Sequence, residues 1–347
     1  MQSPSSRRPR RGAALATAAA IACVTALCGP APAGAEALRD PQWQALADAH
    51  RYLELEQVAS ARLGVRPEDA DAWRAYVLGV VRQRGAEVAA HREAALARLE
   101  ACVAKNPQMA VCHYGIGAVR GVQAISEGLV TAAFGVGRIR DAFSKALELD
   151  PTFHDARSGL VQYYLYVPGI AGGSVTKARE IAQAAVPRQP EHARVLNAMI
   201  LQYEEKLPEA ERMLAAVQPG TDRELVDELR DQWLGIGFDW LQHKEPAKAR
   251  VIFERIAKDK PDEGRAHYGL ARALADEQQW DASIAALERA ATLPGRDELP
   301  IDYRLGVAWQ AKGDVTRARA AFTRYVGSVE PNPKNLEDAK KRLADLG

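Results

Sequence analysis

The sequence predicts an all-α solenoid of stacked helix hairpins, on three observations. The first is a spacing that recurs in the C-terminal half. Gly237, Ala249, Phe253, Ile256 and Pro261 are spaced like Ala271, Ser283, Leu287, Ala290 and Gly295, and like Gly306, Ala318, Phe322 and Tyr325. Each set runs from a small residue to a bulky one and, in the first two, to a helix-ending residue. That is two helices and a tight turn in about 34 residues. The second is composition: 47% hydrophobic with only 6% aromatic residues and much alanine, which suits close-packed helices. The third is length. The chain's 347 residues suffice for two globular domains or for one solenoid of about eight to ten hairpins. A single hairpin cannot bury its apolar face, so the units must stack.

The N-terminal residues 1–35 read as a secretory signal peptide. Arg7, Arg8, Arg10 and Arg11 form the basic region, Ala13 to Cys28 the apolar run, and Ala33-Gly34-Ala35 the cleavage site before Glu36. The run is short and alanine-rich for a membrane span. No Leu stands three residues before Cys23 or Cys28, so a lipoprotein is not indicated. Pro9 and Arg10 follow the first arginine pair where a twin-arginine signal would turn apolar. Cleavage removes four arginines and no acid, moving the net charge from +1 to −3. Neither value predicts a nucleic-acid footprint. The expected mature chain, 36–347, is exported to the periplasm or secreted, with no integral span.

Residues 38–66 read as a loosely matching first unit, with Tyr52, Leu53, Leu55, Val58 and Leu63 on its apolar face and Arg66-Pro67 at its end. The second unit carries Trp73 and Gly79, then Ala95, Leu99 and Cys102, and ends at Asn106-Pro107. In the third, Gly117 is followed only much later by Ile139, Phe143 and Ala146. The insertion near 121–137 is apolar at helical spacing (Val122, Ile125, Leu129, Ala133, Val136). It reads either as a longer hairpin whose helices pack together or as an apolar flap. The fourth unit inserts a Tyr166–Ser174 loop: Pro168 ends a helix, Gly169, Gly172 and Gly173 permit positive φ, and Ser174 is a good N-cap. The fifth is short (Ala198, Ala210, Leu214, Val217). The three regular units follow. A helix at 335–346, apolar through Leu336, Ala339, Leu343 and Leu346, caps the stack, giving about seven to eight hairpins in all.

The recurring residues resemble the tetratricopeptide repeat family. Gly313-Asp314 sits in the turn of the last unit, and Trp240 and Trp309 each fall three residues after the small residue of their first helix. The resemblance implies a right-handed superhelix that holds peptide segments of other proteins. Within it, the run from Asp150-Pro151 through Tyr163-Tyr164 to Pro168-Gly169-Ile170-Ala171-Gly172-Gly173-Ser174 resembles a group of exported bacterial repeat proteins. A more distant similarity is to the periplasmic repeat subunit accompanying some solute-binding transport systems.

Two cysteines survive cleavage. Cys102 ends one helix and Cys112 begins the next, across Asn106-Pro107, so the facing turns favour a disulfide in an oxidising compartment.

Signals for chemistry are weak. No two of the seven histidines lie within one helical turn, and no HExxH, CxxC or EF-hand pattern occurs, so neither metal nor cofactor is expected. Gly115-Ile116-Gly117 and Gly135-Val136-Gly137 do not complete a dinucleotide fingerprint. His113 and His267 occupy equivalent positions and read as packing residues. Catalysis is therefore not expected. The family resemblance implies that ligands lie against the inner face lined by first helices. There the helical wheel places Tyr114, Tyr163, Tyr164, Tyr203, Phe238, Tyr268, Arg272 and Tyr303. Arg265 and Arg272 are the only close basic pair, unlike a carboxylate clamp. The expected function is a non-catalytic protein-interaction scaffold of the bacterial envelope that binds apolar or extended segments of an unidentified partner. The competing expectation is a small-molecule or lipid-binding accessory of transport, using the 121–137 insertion.

Overall fold

The computed structural model describes residues 38–85, 87–127, 135–328 and 331–347. All lie in the second of the chain's two units, Pro32–Gly347. The expected signal peptide 1–35, and Leu129 and Ala133 of the apolar insertion, lie outside the described residues. Among those described, the regular structure is seventeen α-helices and two 3₁₀ turns, with no strand.

The helices pair in chain order as eight hairpins and a terminal helix: α1 (Pro41–Asp48) with α2 (Tyr52–Val65), α3 (Ala70–Arg82) with α4 (Val88–Lys105), α5 (Ala110–Glu127) with α6 (Val136–Leu149), α7 (His154–Tyr166) with α8 (Val175–Gln183), α9 (Pro190–Tyr203) with α10 (Leu207–Ala215), α11 (Arg223–Gln242) with α12 (Pro246–Asp259), α13 (Gly264–Asp276) with α14 (Trp280–Ala290), α15 (Ile301–Ala311) with α16 (Val315–Val326), and then α17 (Pro333–Asp345). First helices from α3 to α15 pack side by side in sequence, and they form the inner layer. The apolar core is correspondingly divided into four clusters that follow the chain. This is the nearest-neighbour organisation of a solenoid, so the predicted all-α solenoid is what the chain forms.

Local chemistry sets the ends. The carboxylates of Asp69, Asp222 and Asp314 accept from the backbone amides of Ala72, Leu225 and Arg317 at the starts of α3, α11 and α16, satisfying donors that a helix leaves open. Five tight hairpin turns each use one residue at positive φ: His50, Glu205, Lys244, Gln278 and Gly313. Only the last is glycine, the residue that adopts this conformation without a Cβ penalty.

The recurring small and bulky residues interlock. Phe253 is fully buried. A Cβ added at Gly237 of its own hairpin would stand 2.7 Å from its ring, and one at Gly269 of the next hairpin 2.4 Å. Phe143 is held in the same way between Gly117 and Gly159. Each phenyl ring is a wedge that couples consecutive hairpins.

The long third hairpin is formed by α5 and α6 packing extensively on each other. Ala124 and Val136 are buried on it while Ile125 is exposed. At the end of α4, Cys102 is disulfide-bonded to Cys112 in the first turn of α5, with Cα atoms 6.2 Å apart. At the other end α17 buries Ala339, and the Tyr303 hydroxyl donates to Asp338 at 2.8 Å.

The superhelix curves until its first hairpins meet later ones. His50 in the α1–α2 turn is 2.6 Å from Glu298, in the connection between α14 and α15. Arg223 of α11 donates to Asp48 at 2.6 and 2.8 Å. A cavity of about 520 Å³ opens at this closure.

Candidate functional site

Three first helices deliver a buried charged cluster to the inner layer. His154 is the first residue of α7, His192 lies in the first turn of α9, and Glu228 lies on α11. They are only 3%, 5% and 3% exposed. Glu228 bridges both imidazoles, with Oε1 2.7 Å from His154 Nε2 and Oε2 2.9 Å from His192 Nδ1. The two ring centres lie 3.9 Å apart with their planes tilted by 37°. His192 Nε2 turns toward Asp222, the N-cap of α11, at 3.4 Å. Asp155 and Glu224 complete the acidic side, and Arg74 from α3, whose guanidinium lies 4.8 Å from the Phe153 ring centre, supplies the opposing charge.

So many carboxylates cannot all ionise together in a buried space. Burial alone would raise the Glu228 carboxyl, but the charges of His154 and His192, with the hydrogen bond from His192, hold it at about 2. Burial raises Asp155 to about 8 against the pull of Arg74. Burial, with Asp155 and Glu228 adding like charge, raises Glu224 to about 9. His192 is raised: burial opposes its charge, but Glu228 and Asp222 outweigh it. At neutral pH the cluster therefore keeps Glu228 as its carboxylate, with protons stored on Asp155 and Glu224.

None of the three residues that meet at this centre was a sequence-level candidate. The expectation that no metal would be bound rested on histidine spacing within single helices. The structure collects His154, His192 and Glu228 from three helices into one donor cluster, so that spacing test does not apply here.

The aromatic candidates divide. Tyr163, Tyr164, Tyr268 and Tyr303 are buried, not exposed along a groove, because neighbouring hairpins cover them. The Tyr163 hydroxyl donates to the Ala171 carbonyl at 3.2 Å and so pins the Pro168–Ser174 loop. In that loop a Cβ at Gly173 would stand 1.7 Å from the Val167 carbonyl oxygen, a position only glycine can fill. Tyr164 has the Lys177 ammonium 5.6 Å from its ring centre. Tyr303 holds the cap helix, as above. Tyr114 and Phe238 are half-buried. Phe238 packs 5.0 Å from Phe253 and has the Arg272 guanidinium 5.8 Å from its ring centre. Tyr203 is 42% exposed and meets Tyr166 edge-on at 5.7 Å. The basic pair is also split. Arg265 is locked between Asp231 at 2.7 Å and Glu263 at 2.9 Å, which leaves its charge matched within the protein. His113 and His267 donate to the Pro107 and Pro261 carbonyls at 3.0 and 3.1 Å.

The closure cavity combines donors and acceptors. Arg82, Gln83, Arg84 and His50 face Asp297 and Glu298, beside Tyr52 and Leu53. Burial raises the Tyr52 hydroxyl to about 12 within the mixed field of Arg82, Glu298, Arg265 and Asp231.

Among the described residues, no helix is long and apolar enough to cross a membrane. No curated protein sequence is significantly similar to the chain. Several solved helical-repeat structures are similar in fold. The hetero-tetramer Cut9–Hcn1 of the APC/C is 14% identical over 87% of this chain and 54% of that one, with a TM-score of 0.49. The chain thus spans about half the length of that protein. A tetratricopeptide repeat protein from Parabacteroides merdae is 14% identical over 84% of this chain and 98% of its own, with a TM-score of 0.47. PilF of Pseudomonas aeruginosa is 15% identical over 72% and 99%, with a TM-score of 0.44. Residues 241–294, the segment from the end of α11 through α14, match the family described as tetratricopeptide repeat, so the most regular hairpins of this all-α solenoid are of tetratricopeptide repeat type.

Proposed function

We propose that the chain is a non-catalytic protein-interaction scaffold of the bacterial cell envelope, and that it holds an extended segment of a partner against its inner layer. The observation that carries this reading is the closure cavity. Its lining holds guanidinium and amide donors (Arg82, Gln83, Arg84) and carboxylate acceptors (Asp297, Glu298) beside the rings of His50 and Tyr52. An extended backbone needs both kinds of group, because each residue brings one donor and one acceptor that must be satisfied on burial. The half-buried Phe238 and Arg272 add an aromatic contact of the type that dominates protein interfaces. The basic, apolar and A-x-A order of residues 1–35 supports export.

The test uses the full chain expressed with its own N-terminus. A photo-crosslinking amino acid replaces Leu53 at the cavity, Phe238 on the inner layer or Glu254 on an exposed face of α12, and adducts are mapped by mass spectrometry. The expected result is an envelope-protein peptide joined at positions 53 and 238 but not 254, on a mature chain beginning at Glu36. Equal labelling at all three positions, or a chain that retains Met1, would overturn the reading.

A further inference from the structure

His154, His192 and Glu228 make a closer arrangement than an ion-pair network requires. His154 Nε2 and Glu228 Oε1 lie 2.7 Å apart, yet neither atom makes a hydrogen bond, and nor does His154 Nδ1. All three atoms are buried. Buried polar atoms without hydrogen bonds are costly, and each calls for a physical reason. A nitrogen and an oxygen this close without a hydrogen bond between them keep lone pairs that one cation can accept. The third donor is at hand: His192 Nδ1 is 2.9 Å from the other oxygen of the same carboxylate. The donor atoms of the three residues lie within 4.8 Å of one another. Small side-chain rotations bring such a set onto one ion at bond lengths of about 2.0–2.2 Å.

The surroundings fit the same chemistry. Asp222 stands 3.4 Å from His192 Nε2, the nitrogen that points away from Glu228. A carboxylate behind a ligating imidazole fixes its tautomer and orientation. The two imidazoles are borderline donors and the carboxylate a hard one. They suit zinc and its transition-metal neighbours, whereas calcium and magnesium prefer all-oxygen sites.

We infer that His154, His192 and Glu228 form a binding site for one divalent transition-metal ion of the zinc class, with Asp222 positioning His192. The three ligands come from α7, α9 and α11, the first helices of three consecutive hairpins. The ion therefore ties three consecutive hairpins in the middle of the solenoid together, along the line on which Glu228 already reaches His154 two hairpins away.

The experiment titrates the chelator-treated full mature chain with Co²⁺, read by visible absorption, and with Zn²⁺, read by competition against bound Co²⁺ and by thermal melting. Mg²⁺ and Ca²⁺ are the controls. The expected result is one equivalent of Co²⁺ displaced by Zn²⁺, and a melting temperature raised by Zn²⁺ but not by Mg²⁺ or Ca²⁺. Glu228→Gln and His154→Ala abolish the cobalt spectrum. If those variants lose helicity, Asp222→Asn decides, because asparagine caps a helix as well as aspartate does while weakening the support behind His192. Its affinity should fall about 10–100-fold. Absence of stoichiometric Co²⁺ and Zn²⁺ binding at micromolar concentrations overturns the inference. So does unchanged affinity in folded Glu228→Gln, or in Asp222→Asn where that variant decides.

Discussion

Phe253 and Gly269 should behave as one packing unit, and a double-mutant cycle measures it. Phe253 is completely buried. Its ring fills the space between α11 and α13, so Phe253→Ala should cost about 3–5 kcal/mol, as large-to-small changes at buried aromatic sites do. Gly269→Ala alone places a methyl group 2.4, 2.5 and 2.6 Å from three ring carbons. The ring cannot retreat, because Gly237 on the other side leaves no room either: a Cβ there would be 2.7 Å away. Overpacking of this kind costs about 1–3 kcal/mol, and alanine's better helix propensity returns about 1 kcal/mol. In the double variant the clash is gone and the methyl group enters the space that the ring vacated. Its cost should fall short of the sum of the single costs by about 1–3 kcal/mol. Urea unfolding of the mature protein, followed by far-UV circular dichroism, supplies the four stabilities. Additivity within about 0.5 kcal/mol, the value for independent sites, would refute the wedge. So would a Gly269→Ala variant more stable than the parent.

Two further outcomes follow from single residues. Burial alone would raise the Glu263 carboxyl, but the charge and hydrogen bonds of Arg265, with the charge of Arg230, hold it at about 2 instead of 4.5. Its folded value is thus depressed, and its stabilisation is present above about pH 4.5 and lost as pH falls toward 2. Urea midpoints measured between pH 6 and 3 should drop more steeply for the parent than for Glu263→Gln; parallel curves would contradict this. Gln278 holds the α13–α14 turn at φ 60°, a conformation that costs a non-glycine residue about 1–2 kcal/mol. Gln278→Gly should raise stability by about 0.5–1 kcal/mol after glycine's extra unfolded-state entropy is subtracted, checked by the same urea melts.

The hairpins were legible because their determinants are local and periodic. Small residues, wedge residues and helix-ending residues recur at fixed offsets, and Gly237 and Phe253 meet as that pattern requires. The inner-layer tyrosines were harder to place. A helical wheel proposes which face of α7 or α13 turns from its own hairpin. It does not say what covers that face afterwards. The neighbouring hairpins, the Pro168–Ser174 loop and the closure of the superhelix all contribute, and none of these has a period in the sequence. Tyr163 is hydrogen-bonded to Ala171 and Tyr303 to Asp338, partners set by an irregular loop and a terminal helix. Tyr203 remained exposed because it ends its helix beyond that cover.

The histidine–glutamate centre was missed for a different reason, one that applies to solenoids generally. Within a single helix, side chains meet three or four residues apart, and a search for metal ligands at that spacing finds none here. In a stack of hairpins the first helices run side by side, so the residues that meet are those at equivalent positions of successive repeats. The sequence distance between them is one repeat. His192 and Glu228 are 36 residues apart and 2.9 Å from atom to atom, and His154 precedes His192 by about the same interval. Small and bulky residues recur at equivalent repeat positions, as do His113 and His267, each four residues before the small residue of its helix. Counted back from the small residue of each first helix (Gly159, Ala198 and Gly237), His154, His192 and Glu228 stand five, six and nine residues earlier, so the same comparison brings the two histidines near one row, while the longer α11 carries Glu228 about a turn further. Ligands spaced by about one repeat thus become neighbours only where the intervening hairpins are intact. A site built this way ties ion binding to the packing of three units, whereas a motif within one helix would bind whether or not its neighbours were stacked.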